Sequence, residues 1–167
     1  MAAYQLTSGS GVIREIDGAS IPADPRNADW QKYQVWLAVA GNTPDPVPAP
    51  SQAQAAQTQY NAAIVSGLTV NWSTSTALNG TYALDQATQF NITAENVSIL
   101  VNNAFTNGLS TKNWPDQAMT FHSFTIAQFK AFATAAGQYI DALISASQAT
   151  AAGQSTTWPS ASITIVA

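Results

Sequence analysis

The chain has 167 residues, which is room for one ordinary domain with a small attached module. Hydrophobic residues make up 46% of it and charged residues only 8%, where roughly 25% is usual in soluble proteins. The net charge of −4 argues against nucleic acid as a partner, the apolar runs are too short to insert into a membrane, and the absence of cysteine excludes disulfides and thiol chemistry.

Residues 1–43 begin with a predicted β-hairpin. Asp17-Gly18 lies between two β-prone runs, Val12–Ile16 and Ala19–Ile21. Asp-Gly in this position is a strong signal for a tight turn, because both residue types tolerate a positive φ.

A single helix is predicted after this hairpin. Asn27 is a suitable N-cap, and Asp29 lies in the first turn, where a helix favours negative charge. We expect Gly41 to cap the end of the helix, because Pro44 cannot continue it. The apolar side chains at helical spacing are Trp30, Tyr33, Trp36, Leu37 and Ala40. A module of about forty residues has a small core, so we expect it to need a partner surface.

Prolines at every second position mark a predicted boundary over residues 44–50. Such a stretch disfavours a helix and favours an extended spacer. The prolines are Pro44, Pro46, Pro48 and Pro50. We therefore expect a second domain over residues 51–167.

Three helical segments are predicted in this second domain. The first is Ser51–Ser66, the second begins after Asp85 and breaks near Asn91–Thr93, and the third opens with a capping box, Thr125–Gln128. The apolar stripe expected on the second helix is Val97, Leu100, Val101, Ala104 and Phe105.

Short β-prone runs alternate with these helices. They cover residues 68–73, 81–84, 118–124 and 162–166, and Trp114-Pro115-Asp116 is predicted as a turn. The expected fold class is therefore α+β, with an N-terminal hairpin and helix, a Pro-rich spacer, and a small sheet packed with two or three helices.

The sequence offers little material for catalysis. His122 is the only histidine and stands in an aromatic run, so we expect a structural role rather than a zinc ligand or a triad member. Asp85 and Glu95 could form a carboxylate pair for glycoside cleavage, but Asp85 is better explained as a helix cap. We expect no enzyme, cofactor or metal site.

Three tryptophans offer an alternative binding function. Trp72, Trp114 and Trp158 could form a platform on which a sugar ring stacks, although tryptophan more often belongs to a core or an interface.

Two segments resemble phage proteins. Residues 12–24, 27–38 and 41–44 resemble a short N-terminal or linking module that recurs in tail fibre and tail-associated proteins of tailed bacteriophages. Residues 78–85, Trp114, residues 122–125 and the last helix resemble an uncharacterised domain found downstream of that module in phage and prophage proteins.

The resemblance implies a non-enzymatic structural protein of the phage tail region. Its expected partners are other tail proteins and further copies of itself, with a trimer favoured, and its expected location is the virion. Residues 1–11 lack the pattern of a secretory signal, so we expect synthesis and folding in the bacterial host cytoplasm. The alternatives are an assembly chaperone that is absent from finished particles, and a module that binds a host receptor or glycan.

Docking to a neighbouring protein is assigned to apolar residues of the N-terminal module. The seven expected docking residues are Ile13, Ile16, Ile21, Trp30, Tyr33, Trp36 and Leu37.

Overall fold

A computed structural model describes residues 3–166 and divides the chain into two compact units. The first unit extends to Pro50 and the second begins at Ser51. Both combine helices with short strands, so the predicted α+β class is confirmed.

The first unit contains a three-stranded antiparallel sheet, where the sequence predicts only a hairpin. The strands are β1 (Tyr4–Leu6), β2 (Val12–Arg14) and β3 (Ala19–Ile21), in the order β1-β2-β3. The β2–β3 hairpin forms as predicted, with Gly18 at φ +70° in its turn. However, β2 ends at Arg14 rather than Ile16, because the Arg14 carbonyl accepts a hydrogen bond from the Gly18 amide and starts the turn there.

The helix of the first unit is α1 (Ala28–Leu37). Asn27 caps it as predicted, since its side chain accepts hydrogen bonds from the amides of Asp29 and Trp30. The predicted end at Gly41 is wrong. The helix stops at Leu37, and the Asn42 side chain donates to the Trp36 carbonyl (2.7 Å), which closes a turn around Gly41.

The Pro-rich segment is partly fixed to the first sheet and is not wholly a spacer. The Asp45 amide donates to the Tyr4 carbonyl (2.8 Å), and the Leu6 amide donates to the Asp45 carbonyl (2.9 Å). Asp45 therefore extends the sheet at the edge of β1. It can do so because, unlike the prolines on either side of it, it has a backbone amide to donate.

The second unit has three long helices, as predicted. They are α2 (Gln52–Ser66), α3 (Gln86–Asn102) and α4 (Ile126–Ala151). The expected break near Asn91–Thr93 is wrong, because α3 runs through it without interruption. None of the helices in the described part of the chain is both long enough and apolar enough to cross a membrane.

Five strands of the second unit form two sheets rather than one. They are β4 (Leu68–Trp72), β5 (Gly80–Tyr82), β6 (Thr111–Pro115), β7 (Phe121–Thr125) and β8 (Ser162–Ile165). The order of the first sheet is β5-β4-β8, with β8 parallel to β4, and β6 and β7 form an antiparallel hairpin. The predicted turn at Trp114-Pro115 is wrong, because both residues belong to β6 and the turn begins at Asp116.

The core of the second unit is built around α4. Its apolar stripe packs against the buried faces of β4, β5 and β7, and α2 lies along its other side. Ile144 is exposed, whereas the buried positions of α4 are Phe129, Phe132, Ala133, Ala136, Tyr139, Leu143 and Ala146. The largest aromatic side chains in this core are Trp72, Tyr82, Phe105, Phe124, Phe129 and Phe132.

Candidate functional site

Four aromatic rings organise the first unit. Tyr33 on α1 packs against Tyr4 of β1 at 5.0 Å between ring centroids, and against Trp30 at 5.1 Å. Trp36 contacts Tyr4 at the same distance of 5.0 Å. Such contacts add to the apolar burial, and they join α1 to the sheet.

The seven expected docking residues do not form one surface. Ile21 and Tyr33 are only 2% and 4% exposed, because they form the core of this small unit. Trp30 and Trp36 are half-buried against the same core.

The other three expected docking residues lie away from this core. Ile16 is 90% exposed in the hairpin turn, and Leu37 is exposed at the end of α1. Ile13 is half-buried on the opposite face of β2 from the buried Val12, because successive strand residues point to opposite faces. These three residues therefore offer the surface that a partner could reach.

Arg14 holds the hairpin turn and α1 together next to Ile16. Its guanidinium contacts the Asp17 carboxylate at 2.7 Å and the Asp29 carboxylate at 3.1 Å. The hydrogen bond from Arg14 lowers the pKa of Asp17 to about 2. The turn that presents Ile16 is thus fixed by charge pairs at its base.

The helix α3 has an exposed apolar face, whereas the sequence predicts that its apolar residues pack into the core. The expected stripe is wrong for Val97, Leu100 and Val101, which are 54% to 81% exposed. Phe105 is buried as expected, but it lies beyond the end of α3, and the buried positions of the helix are Ile92, Glu95 and Ile99. At about 100° per residue, Phe90, Val97 and Val101 share one side of the helix, opposite the core. Phe90 is also mostly exposed.

Glu95 is a buried charge on the inner side of α3. Its carboxylate accepts hydrogen bonds from the amide (2.9 Å) and hydroxyl (2.6 Å) of Thr106, and it pairs with the ammonium of Lys112 on β6. Burial raises the pKa of Glu95, but the hydrogen bonds from Lys112 and Thr106 outweigh that effect, so the pKa lies below its ordinary value. The carboxylate therefore stays ionised and joins α3 to β6.

His122 forms a second polar contact close to β6. The carboxylate of Asp116, six residues earlier in the chain, lies 3.2 Å from Nε2, and the Ala77 carbonyl lies 2.7 Å from Nδ1. Both ring nitrogens therefore face hydrogen-bond acceptors. His122 is buried between the 3₁₀ turn Thr76–Leu78 and the Asp116 turn, and this fits the predicted structural role.

A cleft of about 700 Å³ lies between α3 and β6. Its polar side chains include Glu95 and Lys112 with Asn91 on α3 and Asp116 in the turn after β6. The apolar part of the lining comes from Ala83, Ala94, Trp114, Pro115 and Met119. This volume lies within the range that is usual for small-molecule sites.

Met119 lies at the edge of this cleft with a strained backbone. Its φ is +63°, a left-handed conformation that costs free energy for any residue with a Cβ other than Asn or Asp. Its side chain is exposed. Backbone strain of this kind is concentrated at functional sites.

The predicted tryptophan platform does not form. Trp72 and Trp114 are buried in the core of the second unit, and Trp158 is half-buried against it. Within residues 3–166, no group of three or more His, Asp or Glu residues is placed to hold a metal ion.

A sequence profile of one protein family matches residues 47–162, which is more than half of the chain. That family is described as a domain of unknown function (DUF4376). No curated protein and no solved structure matches the chain.

Proposed function

This chain belongs to the DUF4376 family, and we propose that it is a non-enzymatic structural protein of a bacteriophage tail that acts by docking and by assembly into a homo-oligomer. The phage assignment is supported by the resemblance of residues 12–44 to a tail-fibre module. The docking role is supported by the position of Ile16, which is presented on a turn that Arg14 and Asp17 fix.

The observation that carries the assembly role is the apolar outer face of α3. Phe90, Val97, Leu100 and Val101 are each more than half exposed, although they share or border one side of the helix. Contiguous exposed apolar side chains of this kind mark interaction sites.

The partner of this face is a second copy of the chain. Glu95, the only charged residue of α3, is buried on the inner side, so the outer face carries no charge. Two identical faces can therefore meet without repulsion and without removing an unpaired charge from water. A strongly charged partner would gain nothing from this face.

A charge placed on the outer face should prevent self-association. We expect the purified wild-type chain to be oligomeric and Leu100→Asp to be monomeric, because the new carboxylate would have to be desolvated in the interface. The measurement is sedimentation velocity over a range of protein concentrations.

Asn102→Asp is the matched control, because it adds the same charge two residues further on, where the helix has turned by about 200°. It should keep the oligomeric state of the wild type. A wild-type chain that stays monomeric at all concentrations, or a Leu100→Asp variant that still assembles, would contradict the role of α3.

Docking through the hairpin turn is tested by measuring how much of the chain is incorporated into virions. We expect the wild-type chain in purified virions by mass spectrometry, and we expect Ile16→Asp to be strongly depleted from them. Ser10→Asp, an exposed change in the loop before β2, should be incorporated normally. Absence of the wild-type chain from intact particles would contradict the structural role and favour an assembly chaperone.

A further inference from the structure

The cleft between α3 and β6 has the chemistry of a site for an uncharged ligand. Its three charged side chains are Glu95, Asp116 and Lys112, so its carboxylates outnumber its one ammonium. The ammonium of Lys112 is already held by Glu95 and by the Thr106 hydroxyl (3.2 Å). A phosphate or carboxylate ligand would therefore meet net negative charge.

The same cleft offers hydrogen-bond donors and acceptors next to each other. Asn91 lines it from α3, on the same side of the helix as Glu95 one turn later, and its side-chain amide forms no hydrogen bond within the described residues. Asp116 faces it from the opposite wall, where the Thr120 amide (2.8 Å) and His122 fix its carboxylate. An amide and a fixed carboxylate can both pair with adjacent hydroxyl groups.

Apolar surface completes the site. Ala83, Ala94 and Pro115 line the cleft, and Met119 lies at its edge with its exposed side chain and left-handed backbone. A sugar ring has hydroxyl groups around its rim and C–H groups on its faces, so it matches amide and carboxylate groups set beside apolar walls.

From this arrangement we propose that the cleft between α3 and β6 binds a neutral saccharide unit. Asn91 and Asp116 bind its hydroxyl groups, and Ala94 and Met119 contact its C–H surface. On α3, Asn91 and Glu95 line the cleft from the side turned away from Leu100, and Ala94 lines it one turn after Phe90, at the border of the assembly face.

The proposal is tested by titrating the ¹⁵N-labelled full chain with glucose, galactose, mannose, rhamnose and N-acetylglucosamine, and separately with inorganic phosphate. We expect at least one sugar to shift the amide signals of Asn91, Asp116 and Met119 at concentrations up to about 10 mM, which detects a millimolar Kd. Phosphate should leave these signals unchanged.

Two variants locate the binding. Asn91→Ala should weaken it about tenfold by removing one hydrogen-bonding group, and Ala94→Leu should abolish it by filling the cleft. Asn102→Ala, an equally exposed substitution on the same helix, should bind as the wild type does. Thermal unfolding of each variant confirms that it is folded.

Three results would overturn the proposal. They are no shift with any of the five sugars, shifts by phosphate in the cleft, and sugar-dependent shifts that are confined to other surfaces or unaffected by Asn91→Ala and Ala94→Leu.

Discussion

Glu95 shows how much one buried carboxylate matters in a chain with so few charges. It is 5% exposed, and its hydrogen bonds to Thr106 and Lys112 join α3 to β6. Glu95→Gln keeps the shape of the side chain but removes the charge that Lys112 pairs with. We expect a loss of about 2 kcal/mol in the free energy of unfolding, measured by urea denaturation.

The control for this prediction is Asp141→Asn. Asp141 is exposed on α4, so its substitution should change the free energy of unfolding by less than about 0.5 kcal/mol. A Glu95→Gln variant as stable as this control would show that the ion pair contributes nothing.

The lowered pKa values of Glu95 and Asp116 predict that stability depends on pH. The pKa of Glu95 in the folded chain lies below its ordinary value of 4.5, and hydrogen bonding from the Thr120 amide also holds the pKa of Asp116 below 3.8. A depressed pKa stabilises the fold above the unfolded-state value, and that contribution is lost as the pH falls through the folded-state value. We therefore expect the melting temperature to fall below about pH 4.5.

Glu95→Gln separates this effect from general acid denaturation. The variant should lose less stability than the wild type between neutral pH and about pH 3, because one of the carboxylates with a lowered pKa is gone. Equal losses in the two proteins would assign the acid sensitivity to other carboxylates.

Met119 predicts a stabilising substitution. Asparagine tolerates a left-handed backbone better than methionine does, so Met119→Asn should raise the free energy of unfolding by about 0.5–1 kcal/mol. That corresponds to a rise of about 1–4 °C in melting temperature for a chain of this length. Met119→Ala removes the same side chain but keeps the strain, so it should give no such gain.

Among the helices, α4 depends on the cap at its start. The Thr125 hydroxyl accepts a hydrogen bond from the Gln128 amide, and the Gln128 side chain accepts one from the Thr125 amide, as the sequence predicts. The Gln128 side chain also donates to the Ser75 hydroxyl (3.0 Å) in the turn after β4. Thr125→Ala should cost about 1 kcal/mol by thermal or urea unfolding.

Thr125→Ser is the matched variant for this cap, because serine keeps the hydroxyl group. It should recover most of the loss. If the alanine and serine variants are equally destabilised, the methyl group of Thr125 rather than its hydroxyl supports the helix.

The helix α3 shows why its inner face could not be predicted from the sequence. Hydrophobic periodicity assigns Val97, Leu100 and Val101 to the core, but the position that packs inward between Ile92 and Ile99 is Glu95. Its burial depends on Lys112, which is 17 residues away in sequence. Local spacing does not reveal such a partner, whereas the N-caps Asp85 and Thr125 act locally and are predicted correctly.

Among the short strands, too, those that depend on a local turn can be predicted and those that depend on distant pairing cannot. The β2–β3 hairpin was predicted because Asp17-Gly18 encodes its turn. The strand β1 was missed, because it is three residues long and becomes a strand only through its pairing with β2 and Asp45. In the candidate site, the pairing of His122 with Asp116 depends on the turn after β6, which was itself predicted in the wrong place.

Each unit of the molecule contains its own core. The buried apolar side chains of the second unit all come from residue 56 onwards, whereas those of the first unit, among its described residues, are Tyr4, Val12, Ile21 and Tyr33. We therefore expect residues 51–167 to fold alone with one cooperative thermal transition close to that of the full chain. Residues 1–50 alone should be marginally stable.

Circular dichroism and near-ultraviolet spectra of the fragment check this prediction. A fragment 51–167 that keeps helical signal but lacks a cooperative transition would mean that the second unit needs residues 1–50 to fix its packing.

The parallel pairing of β8 with β4 sets the order in which the second unit can be completed. Thr69 is paired with Ser162, so more than ninety residues separate the two strands in sequence. During synthesis, the edge of β4 that pairs with β8 therefore stays unpaired until nearly all the rest of the domain has left the ribosome. An unpaired strand edge can recruit strands from other chains. Slow translation or truncation ahead of residue 162 should thus favour aggregation of the nascent chain.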